Sequence, residues 1–153
     1  MANLQLSSSA FQEGEKIPTQ YTCDGQNVSP PLSWSGTPEG TQSLALIVDD
    51  PDAPSGTYTH WVVYDLSPGT SELPEGALQS GGTGQAVQGK NSAGKTAYSG
   101  PCPPRGNPHR YFFKLYALDQ VLGLKAGSTK SDLERAMQGH MLAQGQLMGK
   151  YGR

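Results

Sequence analysis

The chain has 153 residues, of which 35% are hydrophobic, and it carries a formal net charge of −2. This length fits one domain with its own core, so we expect a single domain over residues 1–153. The slight acidic excess offers no electrostatic footprint for nucleic acid or for an anionic membrane surface, and we expect neither as a partner.

Short strands separated by turns are predicted along the first part of the chain. Residues 4–7 alternate weakly and predict an opening strand, and residues 29–34 read as an edge segment broken by prolines. The continuous apolar run of 43–49 predicts a central strand, while 59–66 and 111–118 predict two strands rich in aromatic and β-branched residues. No helical period lies between them, which favours an all-β fold, an antiparallel β-sandwich.

The later part of the chain differs in pattern. Residues 68–98 are polar and glycine-rich and predict loops with one or two short strands. A C-terminal helix is predicted where Ser131 stands three positions before Glu134, the arrangement of a capping box. His140 continues the helical spacing of apolar residues, so we expect it to serve packing or capping. Residues 147–151 predict a last short strand.

The apolar runs, the first residues and the two cysteines bear on the cellular location of the protein. No apolar run approaches the roughly 20 residues of a membrane span, and residues 1–5 lack the basic start of a secretory signal. We therefore expect a cytoplasmic protein without membrane insertion. Cys23 and Cys102 are too few for a disulfide scaffold and lack metal-finger spacing. Two free thiols and one bridge between two loops both stay open.

Residues 89–96 match the phosphate-loop pattern G-x-x-x-x-G-K-S/T letter for letter. Such a loop needs a buried strand before it and a helix after it, so that backbone amides converge on the phosphates. Residues 85–88 make a poor buried strand, and the prolines within 100–104 would break a helix. We therefore expect no nucleotide site here.

Two histidines each open an aromatic, β-branched run after a proline-rich loop. His60 follows the loop of residues 50–54, and His109 follows that of residues 100–104. Proline fixes φ, and a strand gives each following residue a defined face, so polar groups at such junctions are held in place. This pattern is typical of a small preorganised binding site.

Alternation along the strands indicates which of these side chains point together. His109 and Tyr111 share one face of their strand, whereas Arg110 faces the other way. By the same rule, His60 is expected to share a face with Val62.

The pair Asp50 and Asp52 allows three interpretations. The carboxylates could accept backbone N–H groups in a turn, or one of them could join His60 and His109 in a metal site. The third interpretation is a pocket for a small anion or zwitterion. There the histidines donate to phosphate-like oxygens, and an aspartate accepts from a hydroxyl, a protonated oxygen or an ammonium. We predict that His60, His109 and Asp50 converge on one pocket.

Together these segments resemble the signature blocks of the phosphatidylethanolamine-binding protein family, and more closely its bacterial Raf-kinase-inhibitor-like branch. The matching blocks are residues 50–54, 59–63, 89–91, 100–104 and 108–112, with further likeness in 21–25, 29–34, 139–140 and 149–153. The likeness covers nearly the whole chain.

The resemblance implies a β-sandwich with a pocket that accepts phosphate or the head group of phosphatidylethanolamine. It also assigns residues 89–96 to the loop that leads to the pocket wall, and it brings Cys23 and Cys102 near the same rim. Eukaryotic members regulate kinases and other signalling proteins. Carried over by matching position, the pocket residues are Asp50, Asp52, His60, His109 and Tyr111, with Gly100 and Pro101 forming the wall.

The expected function is therefore that of a non-enzymatic protein that binds a small phosphorylated or anionic ligand, without a cofactor or a metal. The alternative is a hydrolase or lyase that uses the His/Asp pocket. The sequence contains no G-x-S-x-G or H-E-x-x-H motif, which disfavours that alternative. A third class is an inhibitor module whose loops grip a kinase or protease. The oligomeric state, a homodimer included, stays open.

Overall fold

The computed structural model describes residues 2–78 and 86–153, so part of the predicted loop of 68–98 lies outside the described residues. Within these ranges the chain is built mainly of strands, with one α-helix, α1 (Lys130–Met137), and a short 3-10 helix (Thr19–Tyr21). The strands are β1 (Ala2–Asn3), β2 (Gln5–Ser7), β3 (Leu32–Ser35), β4 (Ser43–Asp50), β5 (Tyr58–Leu66), β6 (Glu72–Leu73), β7 (Val87–Gln88), β8 (His109–Leu118) and β9 (Met141–Tyr151).

The strands form two sheets. The larger has the order β1-β9-β8-β4-β5-β7, and the smaller has the order β2-β3-β6. The predicted all-β character with a helix near the C-terminus is confirmed as a mainly β fold with one helix in the described ranges. The expectation of purely antiparallel strands is wrong, because β1 pairs with β9 in parallel. This pairing covers backbone groups that β9 would otherwise leave open at the sheet edge.

The core lies on both faces of the larger sheet. On one face, side chains such as Leu46, Val48 and Phe113 join Leu32 and Trp34 of the smaller sheet in one apolar cluster. A second cluster, on the opposite face, packs beneath α1. All eight positions of β4 are buried for this reason, which explains the continuous apolar run of residues 44–48 within it. The prediction that this strand is central is confirmed, because β4 lies between β5 and β8.

The start of α1 differs from the prediction. Thr129, not Ser131, is the N-cap, and its hydroxyl accepts a hydrogen bond from the Asp132 N–H. The Asp132 carboxylate accepts in return from the Thr129 N–H. The capping box is therefore present but two residues earlier, because Asp132 takes the place predicted for Glu134.

The end of α1 also comes earlier than the periodicity indicates. The helix stops at Met137, and Gly139 follows with a φ of 81°, a conformation that favours glycine. His140 lies beyond the helix, where its Nδ1 is 2.8 Å from Asp119 Oδ1. The last strand, β9, has 11 residues and is longer than predicted. No helix in the described ranges is long and apolar enough to cross a membrane.

The segment predicted as an edge is central in its sheet. β3 lies between β2 and β6. Pro30 and Pro31 precede the strand instead of interrupting it, so they remove no donor from its ladder.

Candidate functional site

A cavity of about 260 Å³ opens where the end of β4 meets the first residues of β5 and β8. We call it the His60–His109 pocket. The predicted site residues that line it are Asp50, His60, Gly100, His109 and Tyr111. Their convergence follows from topology, because β4 is hydrogen-bonded to both β5 and β8 and its last residue lies beside the first residues of its neighbours.

Asp52 and Pro101 were also predicted at the site, but the structure does not place them in this pocket. The Asp52 carboxylate accepts from the backbone N, Nε and Nη2 of Arg110, each at 2.9 Å. These hydrogen bonds lower the pKa of Asp52 to about 2. They also hold the carboxylate on the outward side of β8, where alternation predicted Arg110. Pro101 does not line the cavity, but its carbonyl accepts from the Cys23 N–H at 3.1 Å and so links the segment that follows Gly100 to the Cys23 loop.

His109 is oriented by Asp50. Its Nδ1 lies 2.7 Å from Asp50 Oδ2, and the other carboxylate oxygen accepts from the Asp52 N–H at 2.8 Å. An ionised carboxylate can only accept, so Nδ1 of His109 carries the proton and Nε2 is the ring nitrogen left for a ligand. The metal interpretation finds no support from geometry, since no group of three His, Cys, Asp or Glu side chains in residues 2–78 and 86–153 could hold an ion.

His60 reaches the pocket because β5 contains a bulge. The residues of β5 paired with β4 jump from Trp61 to Thr59, which leaves His60 without a partner. An extra residue reverses the alternation locally and turns its side chain. His60 therefore packs edge-on against Tyr111, with ring centroids 5.3 Å apart, while Val62 joins the cluster beneath α1. The predicted shared face of His60 and Val62 is wrong for this reason.

The His60 ring is held in one orientation and kept neutral. Its Nδ1 donates to the Ser99 carbonyl at 2.7 Å, which leaves Nε2 available to a ligand. Burial lowers the pKa of His60, while the hydrogen bond to Ser99 and the charge of Asp50 act in the opposite direction. In the ligand-free pocket His60 is thus a neutral imidazole at pH 7.

Tyr111 lines the pocket, and its hydroxyl group is a donor that lies just beneath the surface of the cavity wall. Its hydroxyl is buried and has no hydrogen-bond partner among the described residues. Burial raises the pKa of Tyr111, and the charges of Asp50 and Asp52 act in the same direction. The Asp50 carboxylate is also near enough to act as a weak acceptor, although no hydrogen bond of good geometry forms, so the hydroxyl remains protonated. Buried polar groups in proteins are nearly always hydrogen-bonded. The hydroxyl of Tyr111 is therefore suited to donate to an acceptor on a bound ligand.

Asn27, which was not predicted as a site residue, supports the pocket wall. Its Oδ1 accepts from the Gly100 N–H at 2.8 Å. A side chain at Gly100 would overlap with the Tyr21 carbonyl and with Asn27, so only glycine fits there. No local pattern reveals this contact, because the two residues are 73 positions apart.

Asn91 belongs to the matching block of residues 89–91 but was not predicted as a site residue, and it organises the loop that resembles a phosphate loop. It is buried, and its Oδ1 accepts from the N–H groups of Ala93 and Lys95 at 2.9 and 3.0 Å. Its Nδ2 donates to the Ala97 carbonyl at 2.8 Å and to Ser99 Oγ at 3.1 Å. Turns follow instead of a helix, which confirms the predicted lack of a phosphate-loop context. The loop leads into the wall, as the resemblance implied.

A disulfide joins two loops at the rim of the pocket. Cys23 and Cys102 are bonded, with their Cα atoms 5.4 Å apart, and both line the cavity. The alternative of two free thiols is wrong. The bond ties the segment after the 3-10 helix to the proline-rich wall, so both sides of the rim are fixed covalently.

Comparisons with known proteins agree with this architecture. The family model described as phosphatidylethanolamine-binding protein matches residues 7–152. A UPF0098 protein of Methanothermobacter thermautotrophicus is 50% identical over 151 residues, which cover 98% of this chain and 99% of that protein. The crystal structure of a homolog from Chlamydia trachomatis has a TM-score of 0.91 at 47% identity, covering 100% of this chain and 99% of its own. That of YbcL from E. coli has a TM-score of 0.91 at 34% identity, covering 99% of each chain.

Proposed function

The chain belongs to the phosphatidylethanolamine-binding protein family, and from this premise we propose that its His60–His109 pocket binds a phosphoryl group or a similar small anion. The observation that carries the proposal is the partnerless hydroxyl of Tyr111. Its ring centroid lies 5.3 Å from that of His60 and 6.5 Å from that of His109. A tetrahedral anion above Tyr111 would accept from this hydroxyl and meet both free Nε2 atoms.

The charge of the pocket bears on the form of the anion. Among the lining residues only Asp50 carries a formal charge when both histidines are neutral. A fully ionised phosphate would be repelled by that carboxylate, and a neutral imidazole offers it a lone pair instead of a proton. We therefore propose that the bound species brings or takes up a proton, which one histidine then shares. Asp50 serves as the residue that orients His109.

We further propose that the protein acts by binding and not by catalysis, as a regulator of a kinase or protease that contacts the loops around the pocket. The support for such a target is the family resemblance alone. A homodimer is compatible with the same role. Binding of a protein target would be sensitive to phosphate if both occupy the pocket rim.

The alternative of a hydrolase or lyase is favoured by one observation. The buried contact between His109 and Asp50 has the arrangement of a general base held by a carboxylate. Turnover of a phosphate ester that is lost in His109→Gln would support the enzyme. Saturable binding without turnover supports the proposed binding protein.

The expected cytoplasmic location stands as a proposal, and the disulfide argues against a reducing cytosol. Disulfides persist in oxidising compartments and are uncommon where glutathione keeps thiols reduced. Alkylation of intact cells with a thiol reagent, followed by mass analysis of Cys23 and Cys102, tests it. If Cys23 and Cys102 stay bridged and are not alkylated, the result would contradict a location in a reducing cytosol.

Titration calorimetry and thermal unfolding at pH 6 with inorganic phosphate test the binding proposal. Phosphate that binds the native pocket raises the unfolding temperature of the wild type. The shift should shrink in Tyr111→Phe and in His109→Gln. His140→Gln is the matched control, because His140 contacts Asp119 away from the pocket. The absence of saturable binding of phosphate, sulfate and phosphoethanolamine at millimolar concentration would contradict the proposal.

A further inference from the structure

A second cavity, of about 590 Å³, adjoins the His60–His109 pocket and shares Pro104 and His109 with it. We call it the basic groove. Its charged lining residues are Arg105, Arg110, Lys150 and Asp52. With His109 neutral, three cations and one carboxylate give a net charge of +2, in a chain whose own net charge is −2. The groove is thus opposite in charge to the pocket beside it.

The positively charged side chains in and beside the groove lie close enough to repel one another. Arg110 and Lys150 are direct partners across β8 and β9, and Lys16 bridges to Lys150 on its other side. Like charges directly opposite one another destabilise paired strands. Of these four cations, Arg110 is paired with Asp52, whereas Lys16, Lys150 and Arg105 have no ion-pair partner among the described residues. A bound anion would relieve this repulsion.

We propose that the basic groove is a second anionic subsite, so that the ligand is a phosphate monoester with a second anionic group on a short linker. The inference rests on the proposed function, because the phosphoryl group occupies the His60–His109 pocket. From there the linker passes His109 and Pro104, and its carboxylate or second phosphate lies near Arg105 and Lys150. A ligand whose second group is an ammonium gains nothing from this groove.

Three probes that share a phosphate but differ in the second charge isolate the groove: ethyl phosphate, phosphoethanolamine and phosphoglycolate. By titration calorimetry at low salt, phosphoglycolate should bind the wild type about fivefold more tightly than ethyl phosphate, the upper range for exposed ion pairs. Phosphoethanolamine should bind no better than ethyl phosphate.

Variants then locate the effect. Lys150→Gln and Arg105→Gln should each reduce the preference for phosphoglycolate by roughly two- to fivefold and leave ethyl phosphate nearly unchanged. Lys125→Gln makes the same change in net charge at an exposed lysine that lines neither cavity, and it should preserve the preference. Arg105 and Lys150 are both exposed, so the variants should fold, and circular dichroism is the measurement that checks this.

Two results would overturn the inference while leaving the proposed function intact. One is equal affinity for the three probes. The other is an equal loss for all three probes in Lys150→Gln, which would indicate a general field and not a subsite. If none of the probes saturates the wild type, the proposed function fails together with the inference.

Discussion

His109 and Asp50 lie 2.7 Å apart where β4 ends and its neighbour β8 begins, and both side chains are buried. In this contact the Nδ1–H of His109 donates to the Asp50 carboxylate, which leaves Nε2 available toward the cavity. The behaviour of the pocket toward anions therefore depends on a residue that need not touch the anion.

Replacing Asp50 with Asn tests this dependence. The amide can present its NH2 group to Nδ1, which would move the ring proton to Nε2 or loosen the ring. We expect phosphate affinity to change by about tenfold and the unfolding free energy to fall by about 1–3 kcal/mol, since a buried charge-assisted hydrogen bond is lost. Nitrogen NMR of the histidine rings reports the tautomer directly. An unaltered His109 tautomer together with unaltered affinity would contradict the assigned role.

Tyr111→Phe separates function from stability. The hydroxyl has no hydrogen-bond partner of good geometry among the described residues, so its removal should leave the unfolding free energy unchanged or raise it by up to about 1 kcal/mol. Phosphate affinity should fall by about three- to tenfold. The control is Tyr98→Phe, whose hydroxyl donates to the Tyr21 carbonyl at 2.7 Å and whose loss should cost about 1 kcal/mol. Urea unfolding and calorimetry measure both. If Tyr111→Phe loses as much unfolding free energy as Tyr98→Phe, the Tyr111 hydroxyl has a hydrogen-bond partner in the folded protein and the claim is wrong.

Much of the site could be predicted because the deciding rules are local. Alternation along β8 correctly predicted that His109 and Tyr111 share one face of the strand and that Arg110 lies on the other. The proline-rich loops correctly located the junctions at which the histidines are held. His60 was predicted at the site but on the wrong face, because a bulge depends on the pairing of two strands and leaves no trace in one of them.

The unpredicted features depend on distant contacts. Asn27 meets Gly100 across 73 positions of sequence, and the cysteine bridge spans 79. From the sequence alone, two cysteines can form a disulfide bond or remain free thiols, and only the positions of the two loops in the folded protein decide between these states. Asp52 fitted the site pattern as well as Asp50 did. The difference arises from Arg110, which captures its carboxylate on the outward face.

Asn91→Ala should damage the wall more than any other amide substitution in the pocket loops. Its side chain fills both acceptor and donor roles, and its removal leaves buried backbone groups unpaired. We expect a loss of roughly 2–4 kcal/mol in unfolding free energy and weaker phosphate binding. Asn107→Ala is the control at an exposed position and should change stability by less than about 0.5 kcal/mol. Similar stability of the two variants in urea would refute the organising role of Asn91.

Removal of the disulfide tests the rim. In the chain-entropy account, a bridge over a separation of 79 residues contributes about 4.5 kcal/mol by restricting the unfolded chain. The variant Cys23→Ser/Cys102→Ser should lose about that amount. It should also bind phosphate more weakly, because both cysteines line the cavity. Wild type reduced with dithiothreitol is the matched comparison and should behave like the variant. Equal affinity for phosphate before and after reduction would show that the rim is held without the bond.

Acidification should have opposite effects on the empty and the occupied pocket. Burial lowers the pKa of His60 below its ordinary value of 6.5, so below pH 6.5 the folded protein binds fewer protons than the unfolded chain. The free energy of unfolding that His60 contributes is therefore complete above pH 6.5 and falls as the pH falls. His60→Gln should lose less stability than wild type between pH 7 and pH 5, measured by urea unfolding without ligand.

An anion reverses the sign, because a protonated His60 can donate from Nε2 to an oxygen of the ligand. Binding raises the pKa of His60, so affinity should increase as the pH falls from 7 to 5 and each binding event should take up a proton. Sulfate is the suitable probe, since it does not titrate in this range as phosphate does. Calorimetry in two buffers of different ionisation enthalpy counts the protons, and His60→Gln should show fewer than wild type. Affinity for sulfate that is constant or falls on acidification would mean that His60 stays neutral with the ligand bound, and the anion would then depend on Tyr111 and His109 alone.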